Sequence, residues 1–172
     1  LSSSLKPYLA ASMMCDFGSG SSLVGTASSL CGGLSTTDGK VNAVYNWIAS
    51  NVSYDHALAD SITSGAVTSY VPNPSNTYSS RTGICFDYAS LMCAMLRSQG
   101  IPTRLAVGQT PLGYHAWNEV YFNGSGWVVV ADFQWSNVTD GSSWVMLDTT
   151  FAASGMSSSD IQSIGHTKQK QY

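Results

Sequence analysis

The sequence predicts an α+β fold, with helices first and an antiparallel sheet after them. Before Gly100 the apolar residues recur with helical period. Val41, Val44, Tyr45, Ile48 and Val52 share one face, and Cys85, Ala89, Met92, Cys93 and Leu96 share another. After Pro102 the pattern changes to short runs of strand length, with turns marked by Asn123-Gly124 and Asp140-Gly141. Helices followed by strands, rather than alternating with them, make the layout α+β. At 172 residues the chain is long enough for a single domain with its own core.

Residues 1–37 form a Ser/Gly-rich N-terminal segment, with a loop over 18–22 and a short helix expected around 23–30. The first strongly periodic helix begins after Thr37. Thr36 or Thr37 suits its N-cap, and Asp38 suits its positive end. Residues 60–82 are polar and contain Pro72 and Pro74, so a long surface loop is expected there, of the kind that often borders a functional site. The next helix starts close to Cys85. Gly100 ends it, and Pro102 forbids its continuation. Strands are predicted over 103–109, 115–122, 127–132 and 144–149. On the second of these, alternation puts His115, Trp117, Glu119 and Tyr121 on one face and Ala116, Asn118, Val120 and Phe122 on the other. Residues 38–152 make up the core region, and the polar tail 153–172 is expected to wrap the surface or fray.

Charged residues are 10% of the chain, against roughly 25% in a typical soluble domain. Serine, threonine, asparagine and glycine take their place, a surface common on secreted and cell-wall proteins, so an extracellular or cell-surface location is expected. The net charge is −3 and no Lys/Arg run offers a footprint for nucleic acid or anionic lipid. The apolar stretches fall short of the ~20 residues that cross a bilayer. The chain opens at Leu1 with no basic-then-apolar leader, which reads as a mature or trimmed form. The cysteines, Cys15, Cys31, Cys85 and Cys93, form no CxxC pair and have no histidine at zinc-finger spacing, so no metal site is expected. Cys15 and Cys31 are either a disulfide or two buried thiols.

Cys85 is the candidate nucleophile because it sits at a predicted helix N-terminus. Only the thiolate attacks a carbonyl, and a free cysteine has a pKa of about 8.5. Lowering it to about 7 needs ~2 kcal/mol, at about 1.36 kcal/mol per unit. A helix N-terminus supplies ~0.3–1 kcal/mol. The dipole is too weak alone, and an imidazolium must make up the difference. The histidines are His56, in a polar region, His166, in the tail, and His115, at the start of a strand that can hold its ring rigidly. His115 is therefore the candidate base. Its orienting carboxylate is Asp148 or Asp132, each of which ends an apolar strand, and periodicity does not separate them. Cys93, in mid-helix, is expected to pack in the core. Asp87, in the first helical turn, has a structural reading.

The segments Gly83-Ile84-Cys85-Phe86-Asp87-Tyr88-Ala89, Leu96-Arg97-Ser98-Gln99-Gly100-Ile101-Pro102-Thr103-Arg104, His115-Ala116-Trp117-Asn118-Glu119-Val120 and Trp144-Val145-Met146-Leu147-Asp148-Thr149-Thr150-Phe151 resemble bacterial transglutaminase-like domains in type, order and spacing. The stretch 40–55, with Trp47, Tyr54 and Asp55, resembles the family's lead-in helix and Tyr-Asp. The resemblance covers 40–151. It implies a papain-like core, with the cysteine-bearing helix packed on an antiparallel sheet and a triad at Cys85, His115 and Asp148. Residues 127–143 look like an extra hairpin, which keeps Asp132 as the alternative third member.

An oxyanion hole is expected from the Cys85 N–H, a free donor at a helix N-terminus; Tyr54, from its place in the family-like lead-in, is either the second donor or a packing residue, and Trp117 is a core or site-wall aromatic. No cofactor is expected: calcium helps some transglutaminases, but no EF-hand-like acidic loop occurs in this sequence. The expected activity is acyl transfer on a peptide or glutamine-like amide through a thioester, with hydrolysis favoured over crosslinking. Protein or peptide substrates, and cell-wall components, are the expected partners. The alternative is an inactive interaction module that keeps the fold as a scaffold.

Overall fold

A computed structural model describes residues 2–18, 21–123, 127–130, 133–136 and 144–172. After a 3-10 turn over Ser3–Leu9 the chain forms α1 (Ser22–Cys31), α2 (Thr37–Asn51), β1 (Ser53–Tyr54), α3 (His56–Thr63), α4 (Pro74–Ser80) and β2 (Thr82–Gly83). The cysteine-bearing helix α5 (Cys85–Ser98) follows. Then come β3 (Thr103–Thr110), β4 (Gly113–Tyr121), β5 (Trp127–Val130), β6 (Phe133–Ser136), β7 (Trp144–Leu147), α6 (Thr149–Ala153), α7 (Ser158–Ser163) and β8 (Thr167–Gln171). The α+β expectation holds: helices lead, and an antiparallel sheet in the order β7-β4-β3-β8 follows.

The core lies between the helices and one face of that sheet. Val41, Val44, Tyr45, Ile48 and Val52, the stripe read from the sequence, are buried against Leu91, Met92, Met95 and Leu96 of α5. From Asp87 to Arg97 every residue of α5 is buried. The β4 alternation is also realised. Ala116 packs with Ala89 and Cys93 of α5, and the Asn118 amide donates to the Ala89 carbonyl at 2.9 Å. Trp117 and His115 share the opposite face, with ring centroids 6.3 Å apart.

Local signals set the ends of the elements. Thr36 Oγ1 accepts from Gly39 N and caps α2. At the start of α5, Asp87 Oδ2 accepts the Ile84 N–H at 2.8 Å, and Oδ1 accepts the Tyr70 hydroxyl at 2.6 Å. Asp87 is thus structural, as expected, and it crowds Gly83 so closely that a Cβ there would lie 2.5 Å from its own Cβ. Buried Arg97 donates to the carbonyls of Thr103, Ala10 and Tyr172, which draws both ends of the described chain onto α5.

Several expectations are corrected. Residues 60–82 are not one long loop: α3 runs to Thr63, and α4 starts where the Asn73 side chain caps Asn76 N and Pro74 fills the first helical turn. Both are ordinary helix-start signals that the polar composition masks. Of the strand predicted over 127–132, residues 127–130 form β5, which pairs with β6 in a two-stranded sheet of its own, while 131–132 lie outside the described residues. The tail neither frays nor merely wraps: β8 pairs with β3 as an edge strand, and its lysines and glutamines are composition suited to an edge. Cys15 and Cys31 are free buried thiols in different clusters, with Cys15 beside Cys93.

β8 approaches β3 closely at Gly108, where a Cβ would lie 2.0 Å from the Thr167 carbonyl oxygen. Gly108→Ala therefore forces the strands apart and is expected to destabilise the fold by about 1–3 kcal/mol, the usual range for overpacking. Gly25→Ala, in α1 with open space around it, is expected to be neutral or to gain up to about 1 kcal/mol. Urea denaturation of the two variants beside wild type checks both; a Gly108→Ala midpoint equal to wild type contradicts the packing described.

Candidate active site

Three junctions of the fold converge on one cavity of about 720 Å³. The first is the start of α5. β1 pairs in parallel with β2, with Tyr54 opposite Gly83, so Tyr54 stands beside the chain as it enters Cys85. Cys85 is half-buried, and both it and Tyr54 line the cavity. The second is the β3–β4 hairpin, which places His115 opposite Gly108 and carries Thr110, Leu112 and Tyr114 to the rim. The third is the end of β7, where Asp148 leaves the sheet and caps α6, Oδ1 accepting the Phe151 N–H at 3.0 Å.

His115 Nε2 and Asp148 Oδ2 are 2.7 Å apart, and Asp148 has no exposed surface. A carboxylate this deep is tolerated only when its lone pairs are taken. The His115 ring stacks on Phe151 at 4.4 Å, nearly parallel, so its plane is fixed as well as its bond. Burial alone would push the His115 imidazolium down. Hydrogen bonds and charge from Asp148 and Cys85 outweigh it and lift the pKa to about 9. With Nε2 engaged by Asp148, Nδ1 is the nitrogen left to face Cys85. Asp148 follows the same logic with opposite sign. Burial raises its pKa, but hydrogen bonds from His115 and from His166 outweigh that and hold it below the usual carboxylate range. The Tyr54 hydroxyl is raised, first by burial and then by the Cys85 charge.

The structure brings together Cys85, His115, Asp148 and Tyr54. Of the two readings of Trp117, the structure gives the core one: it is 2% exposed and sits behind the site, packed against the rings of His115 and His166. Asp132 lies outside the described residues. Cys93 is fully buried, its thiol donating to the Thr103 carbonyl at 3.4 Å. No residue of 60–82 lines the cavity, so that segment does not border it. His56 does, its ring meeting Tyr54 edge-on at 5.0 Å.

One residue of this neighbourhood escaped sequence reasoning. His166 Nε2 lies 3.0 Å from Asp148 Oδ2, the same oxygen that His115 contacts. Its side chain is 4% exposed. The signal available was the alternating Lys/Gln pattern of 167–171, which marks an edge strand and so a tail returned to the sheet. Among the described residues, His115, Asp148 and His166 are the group whose ligand atoms could converge on a metal, all within 4.8 Å. Their N–O separations of 2.7 and 3.0 Å are hydrogen-bond distances, so the groups share protons with one another.

Comparison with known proteins adds the family. The sequence profile of the transglutaminase-like superfamily matches residues 25–131. No curated protein matches the chain. Among solved structures, a candidate cysteine protease from Cytophaga hutchinsonii superposes with a TM-score of 0.62 at 23% identity, covering 100% of this chain and 55% of that one. The periplasmic domain of TgpA from Pseudomonas aeruginosa superposes with a TM-score of 0.57 at 16% identity, covering 88% of this chain and 48% of that one. The same domain bound to ethylmercury gives a TM-score of 0.55. This chain thus spans about half the length of those proteins, and at such identities the likeness is one of fold. With more than half of its residues matched by the family profile, the chain belongs to the transglutaminase-like superfamily.

Proposed function

We propose that this domain is a cysteine-dependent acyl-transfer enzyme that hydrolyses amide bonds of peptides or glutamine-like side chains. The observation that carries this reading is the shared cavity: Cys85, in the first turn of α5, faces a histidine whose far nitrogen is bonded to a fully buried carboxylate. The family membership supports cysteine-based catalysis in general.

In this reading the Cys85 thiolate attacks the carbonyl carbon, and the resulting oxyanion takes the Cys85 N–H, a first-turn donor that the helix itself does not use. Tyr54, which lines the same cavity, is the second donor in this reading. The His115 imidazolium gives its proton to the leaving nitrogen, the C–N bond breaks, and a thioester remains on Cys85. His115, now neutral, takes a proton from water as the water attacks, and the acid product leaves with the thiolate–imidazolium pair restored. Asp148 holds the ring in the required tautomer and stabilises its charge. Water rather than an amine as acceptor fits a cavity whose rim is open: Leu112 is 70% and Tyr114 59% exposed. The Cytophaga hutchinsonii neighbour, described as a candidate protease, points the same way. An extracytoplasmic location agrees with the low charge of the chain and with the periplasmic setting of the TgpA domain. Among the described residues no helix is long and apolar enough to cross a membrane.

The deciding experiment is the pH dependence of iodoacetamide alkylation at each cysteine, mapped by peptide mass spectrometry. Cys85 is expected to react rapidly near pH 6, and His115→Ala to slow that reaction about tenfold or more by removing the imidazolium that partners the thiolate. An ordinary thiol profile at Cys85 in wild type overturns the proposal. Because His115 holds its proton up to about pH 9, turnover of an amide such as a peptide 4-nitroanilide, whose leaving nitrogen needs that proton, is expected to fall as pH rises through about 9, while turnover of an activated ester such as 4-nitrophenyl acetate, whose leaving group needs none, falls less. With the same ester, Cys85→Ala abolishes turnover while Cys93→Ser retains most of it; equal losses contradict the assignment. Asp148→Asn is expected to lower kcat by about a hundredfold or more, since the wrong tautomer is then favoured. Asp132→Asn should leave kcat within a few-fold, and the reverse order would move the third member to Asp132.

A further inference from the structure

His166 reaches the site from outside the catalytic elements. It lies just before β8, on the segment that Gly108 admits to the sheet by leaving room for the Thr167 carbonyl. Its Nδ1 is 2.9 Å from the Ile164 carbonyl and its Nε2 3.0 Å from Asp148 Oδ2. Both oxygens only accept, so both contacts are hydrogen bonds at once when each ring nitrogen carries a proton. The ring is caged by apolar faces. Trp117 meets it edge-on at 4.9 Å, and Phe151 meets it edge-on at 5.9 Å. The titratable groups it meets are Asp148, from the β7–α6 junction, and His115, from β4, whose ring centroid is 6.1 Å away.

Without His166, Asp148 would keep one backbone anchor, the Phe151 N–H on Oδ1, and its bond to His115 on Oδ2. A carboxylate with no exposed surface would then have an unfilled lone pair and room to turn, and water could follow. We propose that His166 is a positioning residue for the acyl-transfer reaction: its Nε2–H, supplied by the C-terminal segment, clamps Asp148 Oδ2 against His115. His166 touches no reacting atom in this arrangement. It acts through Asp148, and the site becomes a cysteine, a histidine, an aspartate and a second histidine in series. This rests on the proposed function for its catalytic meaning, although the clamp itself is a matter of Asp148 and His115 alone.

The test uses the full chain with His166→Ala and His166→Gln, since glutamine can place an amide donor near the former Nε2. Two readouts are taken. The first is the rate of Cys85 alkylation by iodoacetamide near pH 6. The second is the His115 titration followed by NMR of 15N-labelled histidine, in a chain with only three histidines to assign. The expected result for His166→Ala is alkylation slowed about threefold to tenfold and a His115 midpoint lowered by about 0.5–1 pH unit, as its carboxylate partner loosens. His166→Gln should recover both to within about twofold of wild type. A wild-type midpoint and rate in His166→Ala would reduce His166 to packing and overturn the proposal. A raised midpoint would overturn it too, by showing that His166 competes with His115 for the carboxylate. Equal losses in both variants would show that the donor is not what matters. Should wild-type Cys85 behave as an ordinary thiol, the proposed function fails, while the His115 midpoint still decides whether His166 acts on Asp148.

Discussion

The arrangement of this molecule turns on a carboxylate with no exposed surface. Ionised Asp148 is stable at that depth only because its oxygens are met on both sides: by the Phe151 N–H on Oδ1, and by His115 and His166 on Oδ2. Removing one partner from a buried charge typically costs about 3–5 kcal/mol, more than most single packing contacts provide. One of those partners opens α6 directly after Asp148, while the other two come from β4 and from the segment before β8. The need to satisfy one side chain therefore fixes how a helix, the sheet centre and the tail sit on one another. It also aligns the His115 ring towards the cavity that holds Cys85.

The other half of the site depends on where α5 begins. Gly83 allows the chain to pass tight against Asp87, whose carboxylate takes the Ile84 N–H and the Tyr70 hydroxyl. The first turn is thereby locked, and Cys85 stands at its start with β1 alongside through the β1–β2 pairing. A cysteine about two turns further along the same helix, Cys93, is in the interior, where burial drives its thiol well above the ordinary range. The same residue type on the same helix is thus suited to chemistry or to packing according to its distance from the helix end.

Much of this was legible in the sequence, for reasons that differ between elements. The stripe from Val41 to Val52 and the stop at Gly100 and Pro102 are local signals, and they read correctly because burial repeats with the helical period. The order of Cys85, His115 and Asp148 could be read as a pattern, but their approach could not, since it depends on strand pairing across the sheet. α4 was missed because its cap, Asn73, and its Pro74 look like loop residues by composition. The tail was misread for a related reason. An edge strand that faces solvent carries no apolar alternation, so β8 left only its Lys/Gln pattern as a clue. His166 went with it: a single polar residue has no period, and its meaning appears only once Asp148 is in place. Trp117, on the His115 face by alternation, could be read as core or as site wall; the fold fills that face from behind with His166.

The buried charges of this sparingly charged chain bear on the same segment. Asp87, Arg97, Glu119 and Asp148 are all buried, and each joins parts of the chain that no local propensity would unite. Arg97 takes the Tyr172 carbonyl, Glu119 pairs with Lys168 as well as Arg104, and Asp148 takes His166. The segment from His166 to Tyr172 thus meets a buried partner at both ends and in its middle. Apolar burial contributes little there, since β8 is largely exposed and polar. Its place on β3 is specified instead by directional bonds to charges that could not be left unpaired, which is the use of buried polar groups that favours one register over others. The strand that looks most dispensable by composition is therefore tied, through Asp148, to the histidine that shares the cavity with Cys85.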